Sequence, residues 1–149
     1  MKKILPIICL VLLSACGTTS TLTSTDLSKP IPKGHARVIV ERNTSMLYFG
    51  GAADIRANGA KIASLGRGGT VMRDLKAGPI VLEVSTPTAV GQYVVRFTAE
   101  PKKTYNFVVS PRGENIMGGY GMGILGDAIH ANVSDQSGYF QLDLKDGAP

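Results

Sequence analysis

The sequence predicts a mainly β fold: a small antiparallel β-sandwich of about seven strands with one short helix near the C-terminal end. Three observations support this fold class. Short segments alternate between apolar and polar residues, turn signals recur about every 8–12 residues, and no stretch from 36 to 110 has an apolar period of 3.6 residues. The 149 residues include 18 glycines and no tryptophan, which favours many turns and short strands within one domain.

The first half of the predicted domain begins with a strand at 36–42, which contains a Val-Ile-Val run. A β-hairpin is predicted at 53–65, and Asn58-Gly59 is its strongest signal. These two residue types suit the positive φ angles of a type I′ turn. After a glycine-rich turn, a further strand is predicted at 70–75.

The second half contains predicted strands at 80–86 and 93–98, a third that begins after Lys103, and a last one at 138–144. Aromatic residues alternate along two of these strands. We interpret them as core residues rather than as a stacking site for a ligand: Tyr93, Phe97, Tyr105 and Phe107.

A glycine-rich loop and a short helix are predicted at about 117–132. The helix is placed near 123–132, because four apolar residues there have helical spacing and would pack on the sandwich. Gly121, Gly123 and Gly126 match a dinucleotide-binding pattern, but no βαβ unit surrounds them, so no cofactor is predicted. The functional alternative is an apolar loop that touches a membrane or a partner.

The first fifteen residues have the pattern of a signal peptide. Lys2 and Lys3 form a basic start, and an apolar run follows at 4–13. Ten helical residues rise only about 15 Å, half of what a bilayer core requires, so a permanent transmembrane helix is not expected. Leu13 is too bulky for the small-residue pattern that ordinary cleavage sites prefer.

Leu13-Ser14-Ala15-Cys16 resembles the lipobox of bacterial lipoproteins. The resemblance implies cleavage between Ala15 and Cys16, a diacylglycerol on the Cys16 thiol, and a fatty acid such as palmitate on the new amine. Because Gly17 rather than Asp follows Cys16, it also implies the periplasmic face of the outer membrane, with the inner membrane as the alternative. The competing interpretation is a cysteine that happens to follow an ordinary signal peptide.

Residues 16–34 have the composition of a flexible tether, rich in Ser and Thr and closed by Pro30 and Pro32. The domain boundaries predicted from the sequence are therefore a signal peptide at 1–15, a tether at 16–34 and a β-sandwich domain at 35–149.

Four short motifs lie within residues 36–110: Ala36-Arg37-Val38-Ile39-Val40, Asn58-Gly59, Leu75-Lys76-Ala77-Gly78-Pro79 and Lys103-Thr104-Tyr105. Their order resembles that in a family of small bacterial lipoproteins. The family carries a domain of unknown function similar to PEGA-type and prealbumin-like β-sandwiches, so the resemblance implies fold and location but no activity.

Charge and cysteine content narrow the function classes. Without Lys2 and Lys3 the formal charge of +5 falls to about +3, and Lys102-Lys103 is the only basic pair of the mature chain, so no nucleic-acid partner is predicted. Cys9 lies in the signal peptide, which leaves Cys16 as the only mature cysteine. An internal disulfide and a cysteine-based zinc site are therefore not expected.

No catalytic or metal-binding constellation is recognisable. His35 and His130 have no metal-ligand spacing, no Gly-x-Ser-x-Gly elbow occurs, and Asp127 with His130 is interpreted as a surface pair. The sequence therefore predicts a non-enzymatic, lipid-anchored binding or envelope-assembly module that contacts the membrane through its lipid and has an envelope protein as its partner. The alternatives are a carrier of a small apolar ligand or lipid, and an envelope hydrolase that uses His130; the oligomeric state stays open.

Overall fold

The computed structural model describes residues 24–44, 51–112 and 135–146. These residues form one helical turn and eight β-strands. In chain order the elements are α1 (Ser24–Leu27), β1 (His35–Arg42), β2 (Ala53–Ala57), β3 (Ala60–Leu65), β4 (Thr70–Lys76), β5 (Gly78–Ser85), β6 (Gln92–Ala99), β7 (Thr104–Pro111) and β8 (Phe140–Asp146). None of the helical structure in these ranges is long and apolar enough to cross a bilayer.

The strands form two four-stranded sheets. Sheet 1 has the strand order β4-β1-β7-β8, and sheet 2 has the order β3-β2-β5-β6. All neighbouring strands are antiparallel except β1 and β7, which run parallel with Val38 opposite Tyr105. The chain alternates between the sheets, since β2 and β3 follow β1, and β5 and β6 follow β4.

One hydrophobic core joins the two sheets. Alternation along the strands directs every second side chain inward, as in β1, where Ala36, Val38 and Val40 are almost fully buried. Aromatic rings meet between the sheets: the centroid of Phe97 in β6 lies 5.1 Å from that of Tyr105 and 5.2 Å from that of Phe107, both in β7. Of the four predicted core aromatics, Tyr105 and Phe107 belong to the buried core, whereas Tyr93 and Phe97 are partly buried and pack against it.

Residues 135–139, which precede β8, cover part of the open edge of β6 and then cross to sheet 1; we call them the crossing segment. The amide of Val94 donates to the carbonyl of Asp135 at 2.7 Å, and the amide of Ser137 donates to the carbonyl of Gln92 at 2.8 Å. An edge strand with free backbone groups invites pairing with another chain. Here the chain itself occupies part of that edge.

The prediction of a mainly β fold is confirmed, and each predicted strand segment overlaps an observed strand. The described residues contain eight strands, close to the predicted number of about seven. One detail of the fold prediction was wrong: β1 with β7 is a parallel pair in a sheet expected to be antiparallel throughout. A parallel pair needs a long crossover, and local turn signals cannot reveal one. The predicted loop and helix at about 117–132 lie outside the described residues.

Candidate anchoring site

The chain from Leu27 to the start of β1 lies against the outer face of sheet 1, and one buried side chain holds it there. Arg37 is flanked in β1 by the core residues Ala36 and Val38, so its side chain points to the opposite face of the sheet. Its Nη1 donates to the carbonyl oxygen of Leu27 at 3.2 Å and to that of Lys29 at 2.7 Å. We call residues 27–35 the docked segment.

A carboxylate on the neighbouring strand completes the Arg37 site. Asp74 of β4 is the direct register partner of Arg37. Two parallel hydrogen bonds join them, from Nε to Oδ1 at 2.8 Å and from Nη2 to Oδ2 at 2.9 Å. Arg37 is 3% exposed, and the hydrogen bonds and charge of Asp74 raise its pKa against the opposing effect of burial. Only the planar guanidinium fork can satisfy a carboxylate and two carbonyls in this way.

Backbone hydrogen bonds fix the rest of the docked segment. The amide of Ala77 donates to the carbonyl of Gly34 at 2.9 Å, and the amide of Lys102 donates to that of His35 at 2.7 Å. The Lys102 Nζ also donates to the carbonyl of Ile31. Gly34 has a φ of 75°, a left-handed conformation that glycine adopts without steric cost. The second half of the predicted tether therefore belongs to the surface of the domain.

The docked segment ends at one end of the two sheets, which we call the tether end. It consists of residues 26–35, 76–78 and 100–104, because β1, β5 and β7 begin there and β4 and β6 end there. Five lysines are placed at the tether end: Lys29, Lys33, Lys76, Lys102 and Lys103. Their acidic neighbours are Asp26, 2.8 Å from the Lys29 Nζ, and Glu100, 2.9 Å from the Lys103 Nζ. The tether end thus carries an excess of positive charge.

A second buried arginine closes the opposite end of the core. Arg42 lies on the inward face of β1 and is 3% exposed. Its guanidinium donates to the carbonyl of Leu65 at 2.9 Å and to that of Gly51, and its carbon Cζ lies 4.7 Å from the ring centroid of Phe140. Because Leu65 belongs to sheet 2 and Phe140 to sheet 1, this side chain connects the two sheets.

A polar cluster occupies the outer face of sheet 2. Asp54 accepts from the Ser64 Oγ at 2.6 Å and forms an ion pair with the Lys61 Nζ at 2.8 Å. Burial alone would raise the pKa of Asp54, but the hydrogen bonds from Lys61 and Ser64, with the charges of Lys61 and Arg56, hold it below the ordinary value. The carboxylate is therefore charged at neutral pH, and its contacts stabilise the sheet rather than prepare it for acid–base chemistry.

Most residues singled out in the sequence lie outside the described ranges: Ala15, Cys16, Asp127, His130 and the glycines at 121–126. His35 begins β1, where its Nδ1 is 3.0 Å from the carbonyl of Lys33. Within the described ranges, no group of three or more His, Cys, Asp or Glu residues is arranged to hold a metal ion. The sequence interpretation missed Arg37 and Arg42. The inward position of Arg42, after Ala36, Val38 and Val40, was a signal that could have revealed it.

No family model matches the chain, and no curated protein matches it either. The resemblance to PEGA-type lipoproteins therefore stays a prediction that rests on the motifs alone.

Proposed function

We propose that this protein is a lipid-anchored binding or envelope-assembly module on the periplasmic face of the outer membrane, without enzymatic activity. The observation that carries the proposal is the lipobox-like Leu13-Ser14-Ala15-Cys16 at the end of an apolar run that follows two lysines. A single acyl chain gives only marginal membrane binding, at about 0.8 kcal/mol per buried methylene, whereas the several chains of a lipoprotein hold it stably.

The docked segment supports a role close to the membrane. If the chain is attached at Cys16 and fixed to the domain from Leu27 onward, only residues 17–26 separate the two points. Ten residues span at most about 35 Å when fully extended. A module held this close can reach partners at the membrane surface but not across a wide periplasmic gap.

The described polar groups favour an assembly role over catalysis. Arg37 holds the docked segment, Arg42 joins the sheets, and Asp54 stabilises the outer face of sheet 2. These charged side chains therefore stabilise the structure, whereas in a catalytic site they would act on a substrate. The predicted partner is an envelope protein.

The anchor is tested by metabolic labelling with an alkyne-tagged fatty acid in cells that produce the full chain. We expect label on the wild type and on Cys9→Ser, and none on Cys16→Ser. Mass spectrometry should find a mature N-terminus at Cys16 that carries acyl groups. Label that persists in Cys16→Ser, or a mature chain that begins at another residue, would overturn the proposal.

The assembly role is tested by crosslinking in intact cells, followed by identification of the captured proteins. We expect an envelope protein that is recovered with the wild type and lost with the unlabelled Cys16→Ser variant. Recovery of no envelope protein contradicts the assembly role. Lipid that co-purifies beyond the covalent anchor would favour the carrier interpretation instead.

A further inference from the structure

We propose that the tether end is a docking face for an anionic bilayer surface, so that the domain lies on the membrane with this end towards the headgroups. The inference rests on the proposed lipid anchor, because the anchor brings this end to the membrane. It adds an orientation and a second, electrostatic contact that acylation alone does not require.

The charges of the tether end are arranged for this contact. Lys33 and Lys76 are exposed, and their side chains make no hydrogen bond or ion pair within the described part of the chain. Lys102 is also exposed, although its Nζ donates to a backbone carbonyl, which leaves its charge unneutralised. Among the described residues, three lysine charges thus remain uncompensated at the tether end.

The nearest carboxylates do not cancel these charges. Asp26 and Glu100 are each paired with a lysine three residues away. Asp74 forms two hydrogen bonds and an ion pair with Arg37, which neutralises its charge. A surface of this sign attracts anionic headgroups over roughly a Debye length, about 8–10 Å.

An exposed apolar side chain lies at the start of the docked segment. Leu27 ends α1 and is 50% exposed, one of three large apolar residues of the described ranges with so much free surface. Its carbonyl is bound by Arg37, so its position relative to the lysines is fixed. An exposed leucine on the same docked segment as Lys33 suits the boundary between headgroups and acyl chains.

Weak attraction is enough at this position. With the anchor inserted, binding of the tether end becomes intramolecular, and a short linker keeps its effective concentration at the membrane high. Each lysine therefore needs to contribute little for the docked orientation to dominate at physiological salt.

The experiment uses the lipidated full chain in vesicles of phosphatidylcholine, with and without about 30% phosphatidylglycerol. Lysine acetylation rates are measured by mass spectrometry on protein that floats with the vesicles. We expect Lys33 and Lys76 to react about threefold or more slowly in the anionic vesicles, and the difference to disappear near 0.5 M salt. Lys61, on the outer face of sheet 2, is the internal control and should react equally in both.

A charge-reversal pair tests the same face through its third uncompensated lysine, Lys102. In Lys33→Glu/Lys76→Glu, the anionic-lipid protection of Lys102 should be lost, whereas Arg67→Glu, in the turn between β3 and β4 at the opposite end, should keep it. If Lys33 and Lys76 of floated, acylated protein each react at the same rate in neutral and in anionic vesicles, the docking face is overturned and the anchor stays intact. Protein that neither floats nor carries acyl groups on Cys16 would overturn both proposals.

Discussion

Two arginines five residues apart on β1 point to opposite faces of sheet 1, and both guanidinium groups are buried. Arg37 faces outward and holds backbone carbonyls of the docked segment, while Arg42 faces inward and holds a carbonyl of sheet 2. Burial of a cation is costly unless hydrogen bonds replace its water. The stability of the fold therefore depends on the groups that each arginine binds. Substitution of one such group tests this dependence.

Asp74→Asn should lower the free energy of unfolding by about 2 kcal/mol, because it leaves the buried Arg37 guanidinium without its counter-charge. The estimate lies below the range for fully buried pairs because the Asp74 side chain is 24% exposed. Asp135→Asn is the matched control. Its ion pair with Arg96 is more than half exposed on both sides, so urea denaturation should show a loss of at most about 0.5 kcal/mol. Equal losses in the two variants would contradict the importance assigned to the Arg37 site.

Asp54 gives the stability a dependence on pH. Its pKa is lower in the folded than in the unfolded chain, so the folded state gains stability from the charged form above the unfolded pKa of about 3.9 and loses it as pH falls through the folded pKa. Asp54→Asn should cost about 1–2 kcal/mol at pH 7. The gap between wild type and variant should shrink when urea denaturation is repeated between about pH 6 and pH 3.

Lys61→Met offers a second test of the same site, because it removes the ammonium group that bonds to Asp54 and keeps the carboxylate. The acid-dependent part of the stability should decrease in this variant as well. A gap between wild type and Asp54→Asn that stays constant with pH would show that the carboxylate charge is not what the fold uses.

At the scale of elements, the hairpin of β2 and β3 depends on one side chain in its turn. Asn58 and Gly59 have φ angles of 49° and 80°, the two positive values of the predicted turn type. The Asn58 Oδ1 also accepts from the amide of Val81 at 2.8 Å. This hydrogen bond connects the turn to β5, the neighbour of β2 in sheet 2.

Asn58→Ala should therefore destabilise the protein by about 1–2 kcal/mol, since it loses both the tolerance of positive φ and the acceptor for Val81. Asn58→Asp keeps both properties and should cost clearly less. Thermal or urea denaturation of the two variants separates these effects, and similar losses in both would argue against the contact with β5.

Two glycines with positive φ allow the cost of backbone strain to be measured separately from the cost of a steric clash. A Cβ added at Gly91 would lie 2.7 Å from the amide nitrogen of Gly138, where the crossing segment meets β6. At Gly78 a Cβ would meet nothing within 4 Å, although its φ is 122°.

Gly78→Ala should cost about 1 kcal/mol from backbone strain alone, and Gly91→Ala at least about 2 kcal/mol more because the crossing segment must move. Amide exchange should accelerate at Val94 and Ser137 in Gly91→Ala only. Unchanged exchange there would show that the contact is not as tight as the geometry requires.

The strands could be predicted from the sequence because each is encoded locally. In β5, for example, Ile80, Leu82 and Val84 alternate with less buried residues and point into the core. The pairing of β1 with β7 could not be predicted, because it joins segments more than sixty residues apart and no turn links them. For the same reason the buried ion pair of Arg37 could not be predicted, since its partner Asp74 becomes its neighbour only when β4 pairs with β1.

At the scale of the whole molecule, the order of strands makes neither sheet an independent unit. The chain passes from one sheet to the other after β1, β3, β4 and β6. Arg42 and the crossing segment connect the two sheets, and the docked segment packs on the outer face of sheet 1. Contacts between residues distant in sequence form slowly, so we expect folding on a scale of milliseconds to seconds.

The two sheets should therefore unfold together. Val38 in sheet 1 and Val84 in sheet 2 are each 1% exposed, and Val38→Ala or Val84→Ala should cost about 2 kcal/mol. If the core is one cooperative unit, either variant should accelerate the slowest amide exchange in β1 and in β5 by the same factor, about 30-fold. If Val38→Ala accelerates exchange in β1 while β5 keeps its protection, the sheets are separate units, and the connections made by Arg42 and the crossing segment do not couple them.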